Sequence, residues 1–207
     1  EWTNSRYTMV FGSNLFQTRL PDAKQLIEAK GNGKLVVFDP DYCTTAAKAD
    51  EWVSLKPDTD AAMGLGLAKV IIDRKLYDEA FLQDYTDMPI LVRSDNGKRL
   101  RAAEVKSLSG QAEEHKVPDY RDMFVIKGPD GLTTLNPEKL DPTYADLEAE
   151  LEVELTDGRR APVRTVFMEL KELLEDYSLE AVSGITEAPA SQIERLAIEA
   201  ATMKPLH

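Results

Sequence analysis

Two short apolar runs, each followed by a polar loop, most constrain how this chain can fold. Tyr7–Phe11 and Lys34–Phe38 have the apolar character of strands that are covered on both faces of a sheet. Residues 21–30 between them have helical spacing, and Leu26 and Ile27 are predicted to face inward. Because strand, helix and strand follow in this order, we predict a right-handed crossover and parallel pairing of the two strands.

The alternation of strands and helices continues through residue 92. A long helix ending near Ile72 is apolar nearly all round, which predicts burial against the sheet. We therefore predict an α/β fold with a doubly wound, mostly parallel sheet, helices on both faces and an irregular insertion. The further predicted elements are a short helix at 44–50, a strand at 51–55, the long helix at 56–72, a short helix at 76–85 and a strand at 89–92.

Beyond residue 97 the spacing is less regular. Prolines, glycines and short apolar runs there predict hairpins and loops, including a half-exposed strand at 151–155. Helical spacing returns at Val163 and predicts an amphipathic helix through Tyr177, and a last helix follows Pro189. We expect one domain in three parts: a core over 1–97, an insertion over 98–160, and helices over 161–207 that pack back on the core.

The charge of the chain limits its partners. Its 25 basic and 37 acidic side chains give a formal net charge of −12, which disfavours nucleic acid and anionic membranes. No apolar run approaches the roughly 18 residues of a membrane span, so we expect a soluble chain without direct membrane contact. The compartment, cytoplasmic or periplasmic, is left open. The sequence begins at Glu1 without an initiator Met, which suggests a piece of a longer polypeptide.

Few residues of this chain can ligate a metal. The single cysteine, Cys43, excludes an internal disulfide and a thiolate cluster, and only His115 and His207 carry imidazole. His115 lies in a polar run typical of a solvated loop. Cys43 is interpreted as a small buried thiol, because no neighbouring cation activates it. We therefore predict no metal ligand and no catalytic residue within this sequence.

The best candidate site gathers the loops that follow the first three strands. Loops that leave parallel strands meet at one edge of the sheet. Gly12 is the one glycine of the first loop, where the dinucleotide fingerprint has three, and Asp39 follows it at a longer spacing than the usual 20 or so residues. An ordinary NAD site is therefore disfavoured. The ten candidate cofactor-binding residues are Gly12, Ser13, Asn14, Gln17, Thr18, Asp39, Asp41, Lys56, Asp58 and Asp60.

Neutral donors in the first loop suit the pyrophosphate of a nucleotide, which an acidic protein must bind by local contacts. In the second loop, Asp39 or Asp41 can accept hydrogen bonds from ribose hydroxyls. Asp60 is the strongest indication, because a carboxylate accepts two N–H groups from the edge of a guanine. One alternative stays open, in which these polar side chains, Asn14 and Asp58 among them, only cap turns and the following helix.

The chain also contains a series of short motifs: Gly12-Ser13-Asn14, Gln17-Thr18-Arg19, Pro21-Asp22-Ala23, Asp39-Pro40-Asp41-Tyr42, Thr45-Ala46-Ala47-Lys48-Ala49-Asp50-Glu51-Trp52, Thr59-Asp60-Ala61-Ala62, Tyr85-Thr86-Asp87-Met88-Pro89 and Ser191-Gln192-Ile193-Glu194. In this order they resemble the catalytic subunits of molybdenum oxidoreductases in the dimethyl sulfoxide reductase family. The resemblance is dense over 1–93 and returns over 163–205. Within the family it is most similar to the branch that holds respiratory nitrate reductase and nitrite oxidoreductase.

The resemblance implies a Rossmann-like domain that binds one of two molybdopterin guanine dinucleotides of a molybdenum cofactor. It implies that the first loop meets the pyrophosphate, that Asp39 meets the guanosine ribose, and that Asp60 contacts the guanine edge. Two positions depart from the family pattern, since Asp58 stands where glycine is usual and Asp41 where arginine is common. The metal ligand and the iron–sulfur cysteines would lie upstream of this sequence.

By the same resemblance, the parent protein is an oxidoreductase of anaerobic respiration that performs oxygen-atom transfer or hydroxylation, with an oxyanion such as nitrate or nitrite as the favoured substrate. Its expected partners are the remainder of the catalytic subunit, an iron–sulfur electron-transfer subunit, and a haem or membrane-anchor subunit. The isolated chain is expected to be inactive. The alternatives are a relative that acts on (per)chlorate, selenate, dimethyl sulfide or hydrocarbons, a stand-alone nucleotide-binding module, and a purely structural domain.

Overall fold

The computed structural model describes residues 2–109, 122–135 and 144–204. His115 and His207 lie outside these residues, so the solvated-loop prediction for His115 stays a prediction. Contacts divide the chain into two units, of which the first is Glu1–Tyr77 with Leu173–His207 and the second is Asp78–Glu172. The predicted three-part organisation of the whole chain likewise stays a prediction.

A three-stranded parallel sheet forms the centre of the first unit, with its strands in the order β1–β2–β3: β1 is Tyr7–Phe11, β2 is Lys34–Phe38 and β3 is Glu51–Val53. β1 pairs with β2 along its whole length, and β2 pairs with the shorter β3. Residues 35–38 of β2 are all buried, as a central strand covered on both faces requires. The predicted α/β class and the predicted parallel pairing are confirmed.

Helices cover both faces of this sheet. They are α1 (Leu15–Thr18), α2 (Leu20–Asn32), α3 (Asp60–Asp73), α7 (Leu179–Thr186) and α8 (Ala190–Thr202). Successive side chains of a strand point to opposite faces. Leu35 and Val37 of β2 therefore pack with α1 and α2, whereas Val36 and Phe38 pack with α3, α7 and α8. Each such fully buried side chain contributes about 1.5–3 kcal/mol to the stability of the fold.

Antiparallel strands organise the second unit. Its elements are α4 (Glu79–Tyr85), β4 (Leu91–Arg93), α5 (Lys106–Ser109), β5 (Val125–Gly128), β6 (Gly131–Thr134), β7 (Glu150–Glu154), β8 (Arg160–Thr165) and α6 (Val166–Leu173). β4, β8 and β7 form one sheet in that order, and β5 and β6 form a hairpin. Its core contains Leu91, Val153 and Val163. The strand predicted at 151–155 is confirmed as β7.

The prediction of a helix beginning at Val163 is wrong. Val163 lies in β8, where Ala161, Val163 and Thr165 are buried and alternate with more exposed neighbours, which is the two-residue period of a strand. The helix α6 begins only at Val166. Val163 shares helical spacing with Val166 and Phe167, and this coincidence hid the change from strand to helix.

Four smaller predictions also need correction. Ile27 is 53% exposed rather than inward, because adjacent helical residues lie about 100° apart and Leu26 already occupies the inward direction. Residues 44–50 contain only a three-residue turn of 3₁₀ helix, Ala46–Lys48. The long helix begins at Asp60 rather than at residue 56, and the helix predicted at 76–85 begins at Glu79.

Candidate cofactor-binding site

Three loops leave the carboxyl ends of β1, β2 and β3 and therefore lie at one edge of the parallel sheet, which we call the carboxyl end. The first loop spans residues 12–18, the second spans 39–45 and the third spans 54–60. All ten predicted site residues lie in these loops. The predicted convergence of the loops at one edge follows from the observed topology, and the binding role of each residue stays a prediction.

The first loop begins with a change of direction at Gly12. Its φ of +54° is in the left-handed region that favours glycine, and its N–H donates to the carbonyl of Phe38 at 2.9 Å. The carbonyl of Asn14 then accepts the N–H of Gln17 at 2.9 Å and the hydroxyl of Thr18 at 3.0 Å. These bonds form the single turn of α1 and hold the loop in shape.

Thr45, which is not among the ten predicted site residues, joins the first loop to the second. Its side chain is fully buried, and its Oγ1 accepts the N–H of Phe16 at 3.2 Å and donates to Asn14 Oδ1 at 3.0 Å. Gln17 Nε2 adds a second link, to Thr44 Oγ1 at 3.4 Å. Because the amide oxygen of Asn14 is engaged by Thr45, the amide nitrogen is directed away from Thr45 and supplies two N–H donors.

Asp39 is 9% exposed, and its hydrogen bonds shape the second loop. Oδ1 accepts the N–H of Asp41 at 2.9 Å, and Oδ2 accepts the thiol of Cys43 at 3.8 Å. Its N–H donates to the carbonyl of Val53 at 3.2 Å, and its carbonyl accepts the indole N–H of Trp52 at 2.8 Å. Asp39 thus caps a turn, and each of its carboxylate oxygens retains a lone pair for a further donor.

Lys56 ties the third loop to α7. Its N–H donates to the carbonyl of Thr186 at 3.0 Å, and its Nζ lies 3.5 Å from Glu187 Oε1. Thr59 occupies the residue before α3, but its hydroxyl donates to the carbonyl of Lys56 at 2.6 Å instead of capping the helix. Thr59 therefore gives α3 no side-chain cap, and its hydroxyl closes the loop instead.

Two acidic residues complete the third loop. Asp58 has a φ of +66°, in the left-handed region where glycine is favoured. Asp60 is the exposed first residue of α3. Over residues 2–109, 122–135 and 144–204, no hydrogen bond or ion pair joins Lys56, Asp58 or Asp60 to the first or second loop. The structure thus connects the first two loops directly and brings the third only to the same edge.

The strongly shifted pKa values of the first unit lie at the opposite edge of the sheet, the amino end. There Lys34 Nζ lies 2.9 Å from Glu51 and 2.6 Å from Glu199, Arg195 contacts both carboxylates, and the Tyr7 hydroxyl donates to Glu199 at 3.0 Å. Burial alone would raise the pKa of Glu51, but hydrogen bonds from Arg195 and Lys34 outweigh burial and lower it to about 2. Burial and the neighbouring Glu199 raise the pKa of Tyr7.

Shifted pKa values mark structural ion pairs as well as active sites. At the amino end every charge has an opposite partner, and the network joins α8 to the first residues of β2 and β3. We therefore interpret it as structural. In the described part of the chain, no group of three or more His, Cys, Asp or Glu side chains is arranged to hold a metal ion.

Comparison with known proteins identifies the family. The family description for molybdopterin oxidoreductases matches residues 1–198. The chain belongs to the molybdopterin oxidoreductase family. Membership implies molybdopterin with molybdenum as the cofactor. Among the described residues of this molybdopterin oxidoreductase chain, no helix has the length and apolar character needed to cross a membrane.

The relatives of this molybdopterin oxidoreductase chain are much longer. It is 37% identical over 228 residues to the alpha subunit of perchlorate reductase from Dechloromonas aromatica, covering 99% of this chain and 24% of the relative. It is 37% identical over 213 residues to the alpha subunit of respiratory nitrate reductase from Haloferax mediterranei, covering 96% and 21%. The chain therefore spans about a quarter of the length of these relatives.

A solved structure shares the fold. Acetylene hydratase from Pelobacter acetylenicus superposes with a TM-score of 0.54 and 22% identity, covering the whole of this chain and 18% of that one. At this level of identity, the likeness concerns the fold and not the reaction.

Proposed function

We propose that this chain holds the guanine dinucleotide part of a molybdopterin cofactor within the catalytic subunit of a molybdenum oxidoreductase. Family membership supports the molybdopterin part. The meeting of three loops at the carboxyl end of a parallel sheet supports the nucleotide part. In this proposal Gly12, Ser13, Asn14, Gln17 and Thr18 contact the pyrophosphate, Asp39 and Asp41 contact the ribose, and Lys56, Asp58 and Asp60 surround the guanine.

The hydrogen bond from Thr45 to Asn14 is the observation that carries this proposal. An asparagine side chain offers either an acceptor or two donors to a ligand, depending on its orientation. Thr45 engages the oxygen at 3.0 Å, so the amide of Asn14 offers donors. Donors are what a pyrophosphate requires, and a neutral amide supplies them in a chain whose net charge is −12.

Asp60 is suited to a guanine for a different reason. Its carboxylate is exposed at the start of α3, and in the described part of the chain it has no hydrogen-bond partner. A carboxylate in this state can accept the two parallel N–H groups on one edge of guanine, which adenine does not present. The Lys56 side chain, four residues earlier, is 55% exposed, and its contact with Glu187 at 3.5 Å is loose enough to exchange for a phosphate or a base carbonyl.

Bound molybdenum would supply oxygen-atom transfer in the assembled enzyme, while the residues of this chain bind and orient the tail of the cofactor. We propose an oxyanion as substrate, nitrate or nitrite first, because relatives are named as nitrate and perchlorate reductases. Chlorate and dimethyl sulfide are the alternatives that other relatives name. The proposed partners are the rest of the catalytic subunit, an iron–sulfur subunit, and a haem or membrane-anchor subunit.

The proposal is tested by Asp60→Asn in the parent subunit. The amide keeps the size of the side chain but replaces one acceptor with a donor, which opposes the N–H groups of guanine. We expect at least a tenfold loss of guanine, measured as GMP released by acid hydrolysis per subunit, together with a loss of molybdenum. Asp73→Asn is the control, because Asp73 is an exposed acid at the other end of α3, where it pairs with Lys69 Nζ at 3.0 Å.

Two outcomes would contradict the proposal. If Asp60→Asn leaves the guanine and molybdenum contents unchanged, the third loop does not hold the nucleotide, as a purely structural domain would predict. If the isolated chain binds free GTP as tightly as the parent subunit holds its cofactor, a stand-alone nucleotide-binding module is the better account.

A further inference from the structure

Among the strands that the structure describes, β1 has one unpaired edge. The strand order is β1–β2–β3, so β1 pairs with β2 on one side only. The Lys34 N–H donates to the carbonyl of Arg6, and the Gly12 N–H donates to the carbonyl of Phe38. Alternate residues of a parallel strand bond to the same neighbour. The main-chain groups of Tyr7, Met9 and Phe11 therefore point away from β2.

The donors and acceptors on this edge are mostly unused. The carbonyl of Tyr7 accepts the hydroxyl of Ser5 at 2.8 Å. In the described part of the chain, no hydrogen bond reaches the N–H or carbonyl of Met9 or the N–H of Phe11. Extended backbone with free groups of this kind is a template for another strand.

A groove of about 260 Å³ runs beside the same edge. Four consecutive residues, 8–11, line it together with Trp2, Leu15 and Leu26. Successive side chains of a strand alternate between faces, so a groove that touches four in a row lies beside the strand and not over one face. Its lining is mainly apolar, and Arg19 is the one charged residue among the described residues that line it.

β1 also lacks the features that protect natural edge strands. Such strands are short, or carry charged residues or proline. β3, at the other edge of the sheet, has only three residues and begins with Glu51. β1 has five residues, with neither a charge nor a proline, and Tyr7, Thr8 and Val10 are at most 7% exposed. β1 thus has the character of an interior strand.

We propose that an extended segment of the parent subunit, from outside residues 1–207, pairs with the free edge of β1 and fills this groove. The relatives are about four times the length of this chain. A parent subunit of that length contains many residues outside 1–207 that could supply the segment. A second copy of the chain is disfavoured, because each copy carries a net charge of −12. The inference does not depend on the cofactor roles proposed above.

Hydrogen exchange at residue resolution in the full-length subunit tests the pairing. The amides of Thr8 and Val10, which bond to β2, serve as internal references. We expect the Met9 and Phe11 amides to exchange within tenfold of these references. Exchange at least 100-fold faster at Met9 and Phe11 would overturn the proposal, and so would protection that disappears on dilution, because a second copy would then be the occupant.

A photo-crosslinking residue identifies the occupant. We would place benzoylphenylalanine at Arg19, which lines the groove, and at Lys24 as the control, an exposed position on α2 outside it. The expected product from position 19 joins it to a peptide of the same subunit outside 1–207, with little or none from position 24. Crosslinks from position 19 only to residues 1–207, or equal yields from both positions, would overturn the proposal. Molybdenum content, measured in parallel, tests the cofactor proposal separately.

Discussion

At the amino end of the parallel sheet the charged side chains pair with one another, whereas at the carboxyl end the polar side chains mostly shape their own loops. Lys34 lies between Glu51 and Glu199 at the amino end, with both carboxylates also bound by arginine. At the carboxyl end, Asp39 bonds within the second loop, and Asp60 has no partner among the described residues. We call the amino end closed, because its charged side chains pair with one another, and the carboxyl end open, because it keeps polar groups that can bind a ligand.

This difference separates stability from binding. A closed network gains its energy on folding and has little left for a ligand, since each donor already has an acceptor. An open edge gains less on folding and keeps donors and acceptors for a partner. The comparison predicts that substitutions at the amino end change the free energy of unfolding, and that substitutions at the carboxyl end change cofactor content more than stability.

The largest expected effect is the acid sensitivity of the amino end. The pKa of Glu51 falls from an ordinary 4.5 to about 2 in the folded chain. A carboxyl whose pKa is lower when folded stabilises the fold above its unfolded pKa, and this stability is lost as the pH falls from about 4.5 towards 2. We expect the contribution of Glu51 to the free energy of unfolding, measured in urea, to drop by about 3 kcal/mol across this window.

Glu51→Gln is the matching variant, because glutamine keeps the shape of the side chain but does not titrate. It should be less stable than the wild type near neutral pH and show a flatter dependence on pH between 4.5 and 2. Equal pH slopes in the two proteins would show that Glu51 does not stabilise the amino end through its charge. The contrast drawn between the two ends of the sheet would then be wrong.

The next effect, about 2 kcal/mol, concerns Thr45, a fully buried side chain of the carboxyl end. Thr45→Val removes the acceptor of the Phe16 N–H and the donor to Asn14. Leaving such buried groups unpaired costs about 1–3 kcal/mol. We expect this loss in urea denaturation, and a larger relative loss of cofactor from the parent subunit, because the amide of Asn14 is then free to turn. Thr45→Ser keeps the hydroxyl and should therefore retain both the stability and the cofactor content of the wild type.

Thr8→Val is the control for that variant. Thr8 is also a buried threonine of this sheet, but its hydroxyl donates only to the hydroxyl of Ser5, near the amino end. We expect it to lower stability and to leave cofactor content unchanged. If Thr8→Val and Thr45→Val lower cofactor content equally, the loss follows instability and the two ends do not differ in function.

How far the sequence predicts this arrangement depends on the range of the interactions. β1 and β2 follow from local apolar runs, and the meeting of the loops at one edge follows from their parallel order. Thr45 could not be predicted, because its role depends on a contact with Asn14, 31 residues earlier, that only the fold creates. Its position between two apolar strands, at the same edge as Gly12, indicates that Thr45 is near the site but not which residue it contacts.

The amino-end network is beyond sequence reasoning for the same reason. Gln192 donates to Glu51 across 141 residues of sequence, and Arg195 contacts the same carboxylate from the next turn of α8. The motif that contains Gln192 resembles a family segment, yet a resemblance does not say which partner each side chain meets. Polar residues on an amphipathic helix usually face solvent, and Arg195 remains 44% exposed, so the helical spacing gives no sign that both side chains bind Glu51.

A smaller effect, about 1 kcal/mol, is expected for Gly12→Ala. A Cβ at this position would meet no atom within 4 Å, so the cost comes only from the backbone φ of +54°. Gly64→Ala is the control, since Gly64 lies in α3, has no positive φ and would place no atom within 4 Å of a new Cβ. Alanine there should stabilise the chain by about 0.5–1 kcal/mol, because it favours the helix more than glycine does. Urea denaturation measures both, and equal signs would contradict the assignment of backbone strain to Gly12.

The smallest expected effect on stability, within about 0.5 kcal/mol, is that of Asp58→Gly. Glycine relieves the left-handed φ of +66°, but it also increases the conformational freedom of the unfolded chain, and these contributions oppose each other. Asp58→Asn removes the same charge while keeping a side chain that tolerates this conformation. If the negative charge of Asp58 repels an anionic nucleotide, both variants should raise cofactor retention equally, because both remove that charge. If close approach of the backbone is what matters, only Asp58→Gly should raise it, and a fall in both would show that the open end needs this acid.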